Sequence, residues 1–145
     1  MQSFNPPDSE FESRVRDEFQ RQQLMATIGA QMTKVVPGEV RIEMLFNQAW
    51  TQQHGYIHAA IITGIVDSAC GFAAYTLMPA DAGVLSVEFK VNFLSPAKGE
   101  RFIAIGKVIK SGRTLTVCSG EVIAVEKGNE KLIATMQATM MTVSS

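Results

Sequence analysis

The stretch His58-Ala-Ala-Ile-Ile-Thr-Gly-Ile-Val-Asp67 sets a single carboxylate into a run of apolar and small residues. From Ala59 to Ala74 the chain carries no other charged side chain, so the run predicts a buried helix. A buried carboxylate without a partner is strongly destabilising or has a shifted pKa. Asp67 therefore either lies at a wet interface, has a local partner such as a hydroxyl, or serves a chemical purpose.

The pattern around this helix predicts one α+β domain over residues 1–145. Ser9-x-x-Glu12 fits a capping box for an N-terminal helix, which Gly29 ends. One side of that helix is marked by Phe11, Val15, Phe19 and Gln22. The central helix is expected from Tyr56 or Ile57 to Leu77. Six strands are expected in a mostly antiparallel order, at Ala30–Val36, Glu39–Phe46, Val84–Leu94, Arg101–Lys110, Thr114–Glu126 and Lys131–Val143.

In the strand predicted from Val84 to Leu94, polar and apolar side chains alternate. Its polar side is expected to carry Ser86, Glu88, Lys90 and Asn92. Turn residues join the other strands, at Pro37-Gly38, at Ser111-Gly112-Arg113 and at Lys127-Gly128-Asn129-Glu130.

Composition favours a small soluble protein with a true core. The chain has 145 residues, 46% of them apolar, and a net charge of −1, which argues against a nucleic-acid or membrane-surface partner. No apolar run is long enough to span a membrane. The N-terminus lacks the basic start and apolar segment of a signal peptide, so a cytoplasmic location is expected.

The two cysteines and two histidines give weak signals for redox or metal chemistry. Cys70 in the apolar helix and Cys118 in a strand are expected to be packed thiols rather than a disulfide or a nucleophile. His54 and His58 are four residues apart, which makes a metal pair conceivable, but no third ligand stands near them. The sequence therefore predicts no metal and no resident cofactor.

Three segments carry a resemblance to a known family. The segment Gln52-Gln-His-Gly-Tyr-Ile-His-Ala-Ala60, then Asp67, then Leu85-Ser-Val-Glu-Phe-Lys-Val-Asn-Phe-Leu-Ser-Pro-Ala97 resemble the hotdog-fold acyl-CoA thioesterases of the PaaI type. In that family an amide residue precedes a Gly-x-x-His-Gly-Gly turn, and an acid follows nine residues after the His. The resemblance covers nearly the whole chain after Gln31. Gln52 stands where Asn is common, and Ala59-Ala60 replaces Gly-Gly.

The resemblance implies a fold, an activity and roles for several residues. It implies an antiparallel sheet wrapped around one long helix, and thioester hydrolysis at a site between protomers of a homodimer or homotetramer. The residue after the motif His donates its N–H to the thioester, which selects Ala59. Ser86 matches a position that hydrogen-bonds near the acid, whereas the sequence alone favours an ordinary polar residue on a strand face. Gly55 and His58 match the structural turn before the helix, although the His58 imidazole could also act as a catalytic base.

The residues themselves suggest how such a site would work. N–H groups at a helix start lack intrahelical partners, so those of Ala59 or Ala60 could polarise a carbonyl. The amide of Gln52 could add a second donor, although an ordinary solvated loop residue fits as well. Asp67 could act as general base on water or as the nucleophile, and the sequence does not choose between them.

Spacing along the helix constrains this site. Ala59 and Asp67 are eight residues apart, which is roughly 12 Å along a helix axis at ~1.5 Å per residue. One thioester cannot reach both. If both are catalytic, Asp67 must come from a second subunit whose helix runs antiparallel to the first.

Binding of the coenzyme A portion of the substrate is less determined. The turn around Lys110, Gly112 and Arg113 combines two cations with a glycine that could expose N–H groups to phosphate, although a plain hairpin is equally consistent. Lys90 and Lys98 are further candidates. Side chains that could line an acyl tunnel, or simply form core, are Phe72, Tyr75, Met78 and Phe89.

Two other functions stay open on the sequence alone. A non-catalytic acyl-CoA or acyl-carrier binder on the same fold is consistent with Ala59-Ala60 in place of Gly-Gly. A hydratase would need an Asp–His pair, and His58 is placed on the helix face opposite Asp67.

Overall fold

A computed structural model of the chain describes residues 2–144. Its helices are α1 (Phe11–Arg21), α2 (Gln23–Thr27) and α3 (Ala59–Tyr75). Its strands are β1 (Gln31–Val36), β2 (Glu39–Leu45), β3 (Ala82–Phe93), β4 (Arg101–Ser111), β5 (Leu115–Glu126) and β6 (Asn129–Ser144). A single 3₁₀ turn lies at Gln48–Trp50. The predicted helices and six strands are confirmed, with ends that shift by a few residues.

The six strands form one antiparallel sheet in the order β1-β2-β4-β5-β6-β3. Helix α3 packs against β2, β3, β4, β5 and β6, so the sheet curves around it. This is the arrangement expected for the hotdog fold. No helix within residues 2–144 is both long enough and apolar enough to cross a membrane.

Glycines let α3 approach the sheet closely. A Cβ atom added at Gly106 on β4 would overlap the backbone of Ala69, and one added at Gly120 on β5 would lie 2.6 Å from Val66 Cγ2. Any side chain at these positions would push the helix away from the sheet. The depth at which α3 sits therefore depends on two residues of the sheet.

The central helix begins later than the sequence predicted. Ile57 donates its N–H to the Ala97 carbonyl and pairs with Thr51 in an isolated bridge, while the His58 N–H bonds to the Trp50 carbonyl. These contacts hold both residues in the preceding loop. His58 becomes the N-cap, with φ −60° and ψ 140°, and Ala59 becomes the first helical residue.

The capping box predicted for α1 is wrong. The helix starts at Phe11, and the Oδ1 atom of Asp8, rather than the Ser9 hydroxyl, accepts the N–H of Glu10 at 2.9 Å. The predicted apolar side is confirmed, because Val15 and Phe19 are buried. Glu10 is the N-cap residue, and no side chain caps the helix.

Arg14 joins α1 to the end of α3. Its guanidinium donates to the carbonyls of Tyr75, Met78 and Pro79 at 3.0–3.2 Å, and its Nε lies 2.9 Å from Asp8 Oδ2. The last carbonyls of a helix lack intrahelical partners, and a cation near them also interacts favourably with the helix dipole. The N-terminal helix thus caps the central helix.

A β-bulge in β3 overturns the predicted alternation. The pairing with β6 shifts between Ser86 and Glu88, so Ser86 lies opposite Met140 whereas Phe89 lies opposite Ala138. Met140 and Ala138 are both fully buried on the side that faces α3. Because directly opposed residues share a face, Ser86 lies on the helix side and not with the polar residues that follow it.

Candidate active site

The start of α3 leaves one backbone N–H without a partner. His58 Nδ1 accepts the Ala60 N–H at 2.9 Å, and the His58 carbonyl accepts the N–H groups of Ile61 and Ile62. Among residues 2–144, nothing accepts a hydrogen bond from the N–H of Ala59. Of the two alanines named from the sequence, Ala59 therefore has the available donor, and His58 serves as the helix cap.

Gln52 forms the turn before this helix. Its side-chain Oε1 accepts the N–H of His54 at 2.6 Å and the N–H of Tyr56 at 3.3 Å. Gly55 has φ +85°, a conformation that favours glycine, which agrees with its predicted structural role. With Oε1 held by the turn, the Nε2 amide of Gln52 has no acceptor in the described chain and stays available as a donor.

These groups meet in one cavity of about 460 Å³, here called the helix-start cavity. Ala59 contributes its backbone to the wall of this cavity, and the polar side chains there are Gln52, Gln53, His54, Tyr56, His58 and Ser95. Its apolar side chains are Ile57, Ile62, Phe93, Pro96, Ala97 and Ile133. A mostly apolar wall with a few converging donors is typical of a ligand site.

Asp67 lies in a separate, smaller cavity of about 80 Å³, here called the Asp67 cavity. Ser86 Oγ donates to Asp67 Oδ1 at 2.7 Å, so the carboxylate has the hydroxyl partner considered in the sequence analysis. Burial raises the pKa of the Asp67 carboxyl above its ordinary value, and the hydrogen bond from Ser86 opposes that rise. A carboxylate that gains a proton more readily than usual is typical of catalytic sites.

Gln22 is a residue of this cavity that sequence reasoning missed. It was named only as part of one side of the N-terminal helix, but it lies between α1 and α2 and lines the Asp67 cavity. The hydroxyl of Ser68, next to Asp67, donates to Gln22 Oε1 at 2.6 Å. A polar residue on the packing side of an amphipathic helix was the available signal.

The two cavities have no wall residue in common. Ala59 and Asp67 belong to the same straight run of α3, which separates them by roughly 12 Å at ~1.5 Å per residue. His58 and Asp67 likewise line different cavities, so a single chain does not bring these two residues together as a hydratase would need. Within residues 2–144, Ala59 and Asp67 therefore lie in two separate cavities.

The predicted phosphate turn is distant from the helix-start cavity. The N–H of Gly112 donates to the Leu115 carbonyl at 2.9 Å, so the hairpin itself uses it. Lys110 and Arg113 are exposed on this turn, and neither lines either cavity. Lys90 is exposed opposite Gln137, on the side of β3 away from α3.

Of the side chains suggested for an acyl tunnel, only Phe72 lines the Asp67 cavity. Tyr75 and Met78 are buried in the core, where the Tyr75 hydroxyl donates to the Ala82 carbonyl at 3.0 Å. Phe89 is 41% exposed on the edge strand.

Both cysteines, Cys70 in α3 and Cys118 in β5, are fully buried, as expected for packed thiols. Burial raises the pKa of both, and that of Cys118 to about 12, so neither is a ready nucleophile. Within residues 2–144 no three His, Cys, Asp or Glu side chains gather in a way that could hold a metal ion.

Comparison with known proteins links this geometry to one family. The family model described as "Thioesterase superfamily" matches residues 54–130, which include the helix start, Asp67 and Ser86. The chain is 31% identical over 104 residues to human acyl-coenzyme A thioesterase 13, a match that covers 71% of this chain and 72% of the relative.

Solved structures agree. The crystal structure of a thioesterase family protein from Silicibacter pomeroyi has a TM-score of 0.92 and 50% identity, and the match covers 93% of this chain and 99% of that one. The E. coli PaaI protein of the phenylacetic acid degradation operon has a TM-score of 0.83 at 14% identity, covering 94% and 95% of the two chains. The second likeness concerns the fold alone.

Proposed function

This chain belongs to the thioesterase superfamily, and on that premise we propose that it is an acyl-CoA thioesterase, which releases a free acid and coenzyme A. The membership supports thioester hydrolysis as the general class of activity. The observation that carries the finer proposal is the open N–H of Ala59 in the wall of an apolar cavity. The proposed mechanism uses the donors of the helix-start cavity together with the carboxylate of the Asp67 cavity.

The helix-start cavity provides the hydrogen-bond donors that polarise the thioester carbonyl. The thioester carbonyl oxygen accepts the Ala59 N–H at the positive end of the α3 dipole, and Gln52 Nε2 donates a second hydrogen bond. Both donors are fixed before substrate arrives. Ala59 is the first residue of the capped helix, and the turn holds the side chain of Gln52 through its Oε1 atom. Fixed donors stabilise the negative charge that develops on this oxygen in the transition state.

Asp67 provides the general base or the nucleophile. Its carboxylate removes a proton from the attacking water, or attacks the carbonyl carbon and forms an anhydride that water then hydrolyses. In either route the C–S bond breaks and the sulfur leaves as the thiol of coenzyme A. Ser86 acts through Asp67, since it orients the carboxylate and keeps part of it ionised.

The replacement of Gly-Gly by Ala59-Ala60 is compatible with this scheme. Both alanines are exposed, and neither methyl group removes a backbone N–H. The two methyl groups narrow the space around the thioester, but the N–H of Ala59 remains available to its carbonyl oxygen.

We further propose that the complete site forms between two protomers. Ala59 of one chain and Asp67 of another would then face the same thioester. Strand β3 is an edge of the sheet, and its outer side has no partner strand among residues 2–144. Its apolar side chains Leu85 and Val87 are 60% and 53% exposed. An apolar edge of this kind is usually covered by association.

The test is a hydrolysis screen of the purified protein over short, medium, long and aromatic acyl-CoAs, with detection of free thiol. We expect release of coenzyme A from at least one class. Binding of acyl-CoA without release from any class would contradict the proposal and favour the non-catalytic binder, for which the Ala59-Ala60 departure is the motivating observation.

A further inference from the structure

A second groove adjoins the helix-start cavity. It has a volume of about 360 Å³ and lies beside the β5–β6 hairpin. Tyr56 and Pro96 line both spaces, so the groove continues outward from the wall that carries Ala59. Its charged side chains are Lys98, Lys131 and Glu126, and Asn129 adds a neutral polar group.

The two lysines of this groove are free to take a ligand. Neither ammonium group of Lys98 or Lys131 has a carboxylate within 4.0 Å in residues 2–144, whereas Lys34 and Lys107 both pair with Glu39. Two cations against the one carboxylate of Glu126 leave the groove with a net positive charge. An exposed groove with unpaired cations attracts anions.

We propose that this groove binds the phosphate groups of the coenzyme A portion of the substrate. The inference rests on the proposed function and deepens it. A thioester held at Ala59 places the uncharged pantetheine arm against apolar walls and Tyr56, while the charged phosphates must leave the cavity. Lys98 and Lys131 supply their counter-charges, and Glu126 and Asn129 can bond to amides and hydroxyls of the arm.

The spacing along β6 is consistent with this path. Ile133 lines the helix-start cavity, and Lys131 lies two residues earlier on the same strand, which is roughly 7 Å at ~3.3 Å per residue. The hairpin at Lys110 and Arg113 is the alternative binding site for the phosphates. That hairpin lies beside the Asp67 end of the sheet, because Leu115 and Leu85 both pair with Met141.

The experiment compares one acyl group on coenzyme A and on pantetheine, which lacks the phosphates. We expect Lys98→Ala and Lys131→Ala each to raise KM for acyl-CoA roughly fivefold, and the double variant to raise it at least about tenfold, with kcat little changed. KM for acyl-pantetheine should not move. Glu126→Gln should lower KM for acyl-CoA, because it removes a repulsive charge.

Three outcomes would overturn the inference. The first is an equal rise in KM for acyl-pantetheine, which would show that the lysines act on the shape of the site. The second is no rise with either substrate. The third is a rise that follows Lys110→Ala and Arg113→Ala instead.

Failure of the proposed function is distinguishable from failure of this inference. If the wild-type protein releases no thiol from either substrate, hydrolysis is refuted while the groove remains testable by calorimetric titration with coenzyme A. Loss of that binding in the double lysine variant, but not in the Lys110→Ala and Arg113→Ala double variant, would still support the groove. Unchanged binding would overturn it.

Discussion

Ser86 Oγ lies 2.7 Å from Asp67 Oδ1 and donates to it, although 19 residues separate the two along the chain. The bond joins the edge strand β3 to the middle of α3. It exists because the bulge at Val87 puts Ser86 on the helix side of the strand. Without the bulge, the alternation of β3 would present Ser86 to the opposite face.

Ser86→Ala should shift the acid limb of the pH–rate profile to higher pH. Burial already raises the pKa of Asp67, and the Ser86 hydrogen bond lowers it, so its loss raises the pKa further. The carboxylate is active only when ionised, and activity at acid pH therefore falls. The check is kcat/KM from about pH 4 to 8 for both proteins. An acid limb at the same pH in both would mean that the bond does not control this ionisation.

Asp67→Asn should abolish most turnover, by roughly 10²–10⁴-fold, because an amide keeps the shape of the side chain but cannot act as base or nucleophile. Substrate binding and the folded structure should persist, as judged by calorimetry and circular dichroism. Asp17→Asn, an exposed change on α1, is the matched control and should retain full activity. An Asp67→Asn protein with more than about a third of the wild-type rate would remove Asp67 from the mechanism.

Two substitutions distinguish the roles of Gln52 as an acceptor in the turn and as a donor to the thioester. Gln52→Glu keeps an acceptor for the N–H groups of His54 and Tyr56 but loses the amide donor, whereas Gln52→Ala loses both. If Nε2 serves the thioester oxygen, both variants should lose kcat by about 10²–10³-fold, and only Gln52→Ala should also loosen the turn. Hydrogen exchange at residues 52–57 reports the turn. Nearly normal kcat for Gln52→Glu would leave Gln52 with a structural role only.

Mixed oligomers test the shared site. If each site takes Asp67 from one protomer and Gln52 from another, a mixed dimer of Asp67→Asn and Gln52→Ala has one intact site and one doubly defective site. Random co-refolding makes about half the dimers mixed, so activity should recover to roughly a quarter of wild type. Activity that stays at the level of the parent mutants would place both residues in the same chain's site. Light scattering should find at least a dimer.

Gly106→Ala should destabilise the fold by roughly 1–3 kcal/mol or more, because the new Cβ would overlap the Ala69 backbone. The helix must then move away from the sheet, and Ala59 and Asp67 move with it. Thermal unfolding should show a lower midpoint. An unchanged midpoint would show that the approach of α3 to β4 is looser than the structure has it.

Local signals in the sequence were enough to predict the secondary-structure elements. Apolar runs and turn residues placed α3 and the six strands to within a few residues, since these patterns follow the helix and strand periods directly. The capping box at Ser9 failed because the helix begins later, with Glu10 as its N-cap residue and no side-chain cap. Gln52, Ala59 and Asp67 were selected through resemblance to a family motif, and their catalytic roles stay predictions.

The sequence by itself determined that a lone carboxylate, Asp67, sits in an apolar helix eight residues after Ala59, because covalent spacing and helix periodicity are local properties. The tertiary contacts of Ile57 and His58 decided that the helix begins at Ala59. Only the tertiary structure decided what surrounds those groups. The bulge that turns Ser86 toward Asp67, the contact of Gln22 with Ser68, and the groove of Lys98 and Lys131 each join segments that are distant in the chain. Such contacts depend on strand register and on how closely α3 approaches the sheet, and a one-residue shift of register reverses every side chain of a strand.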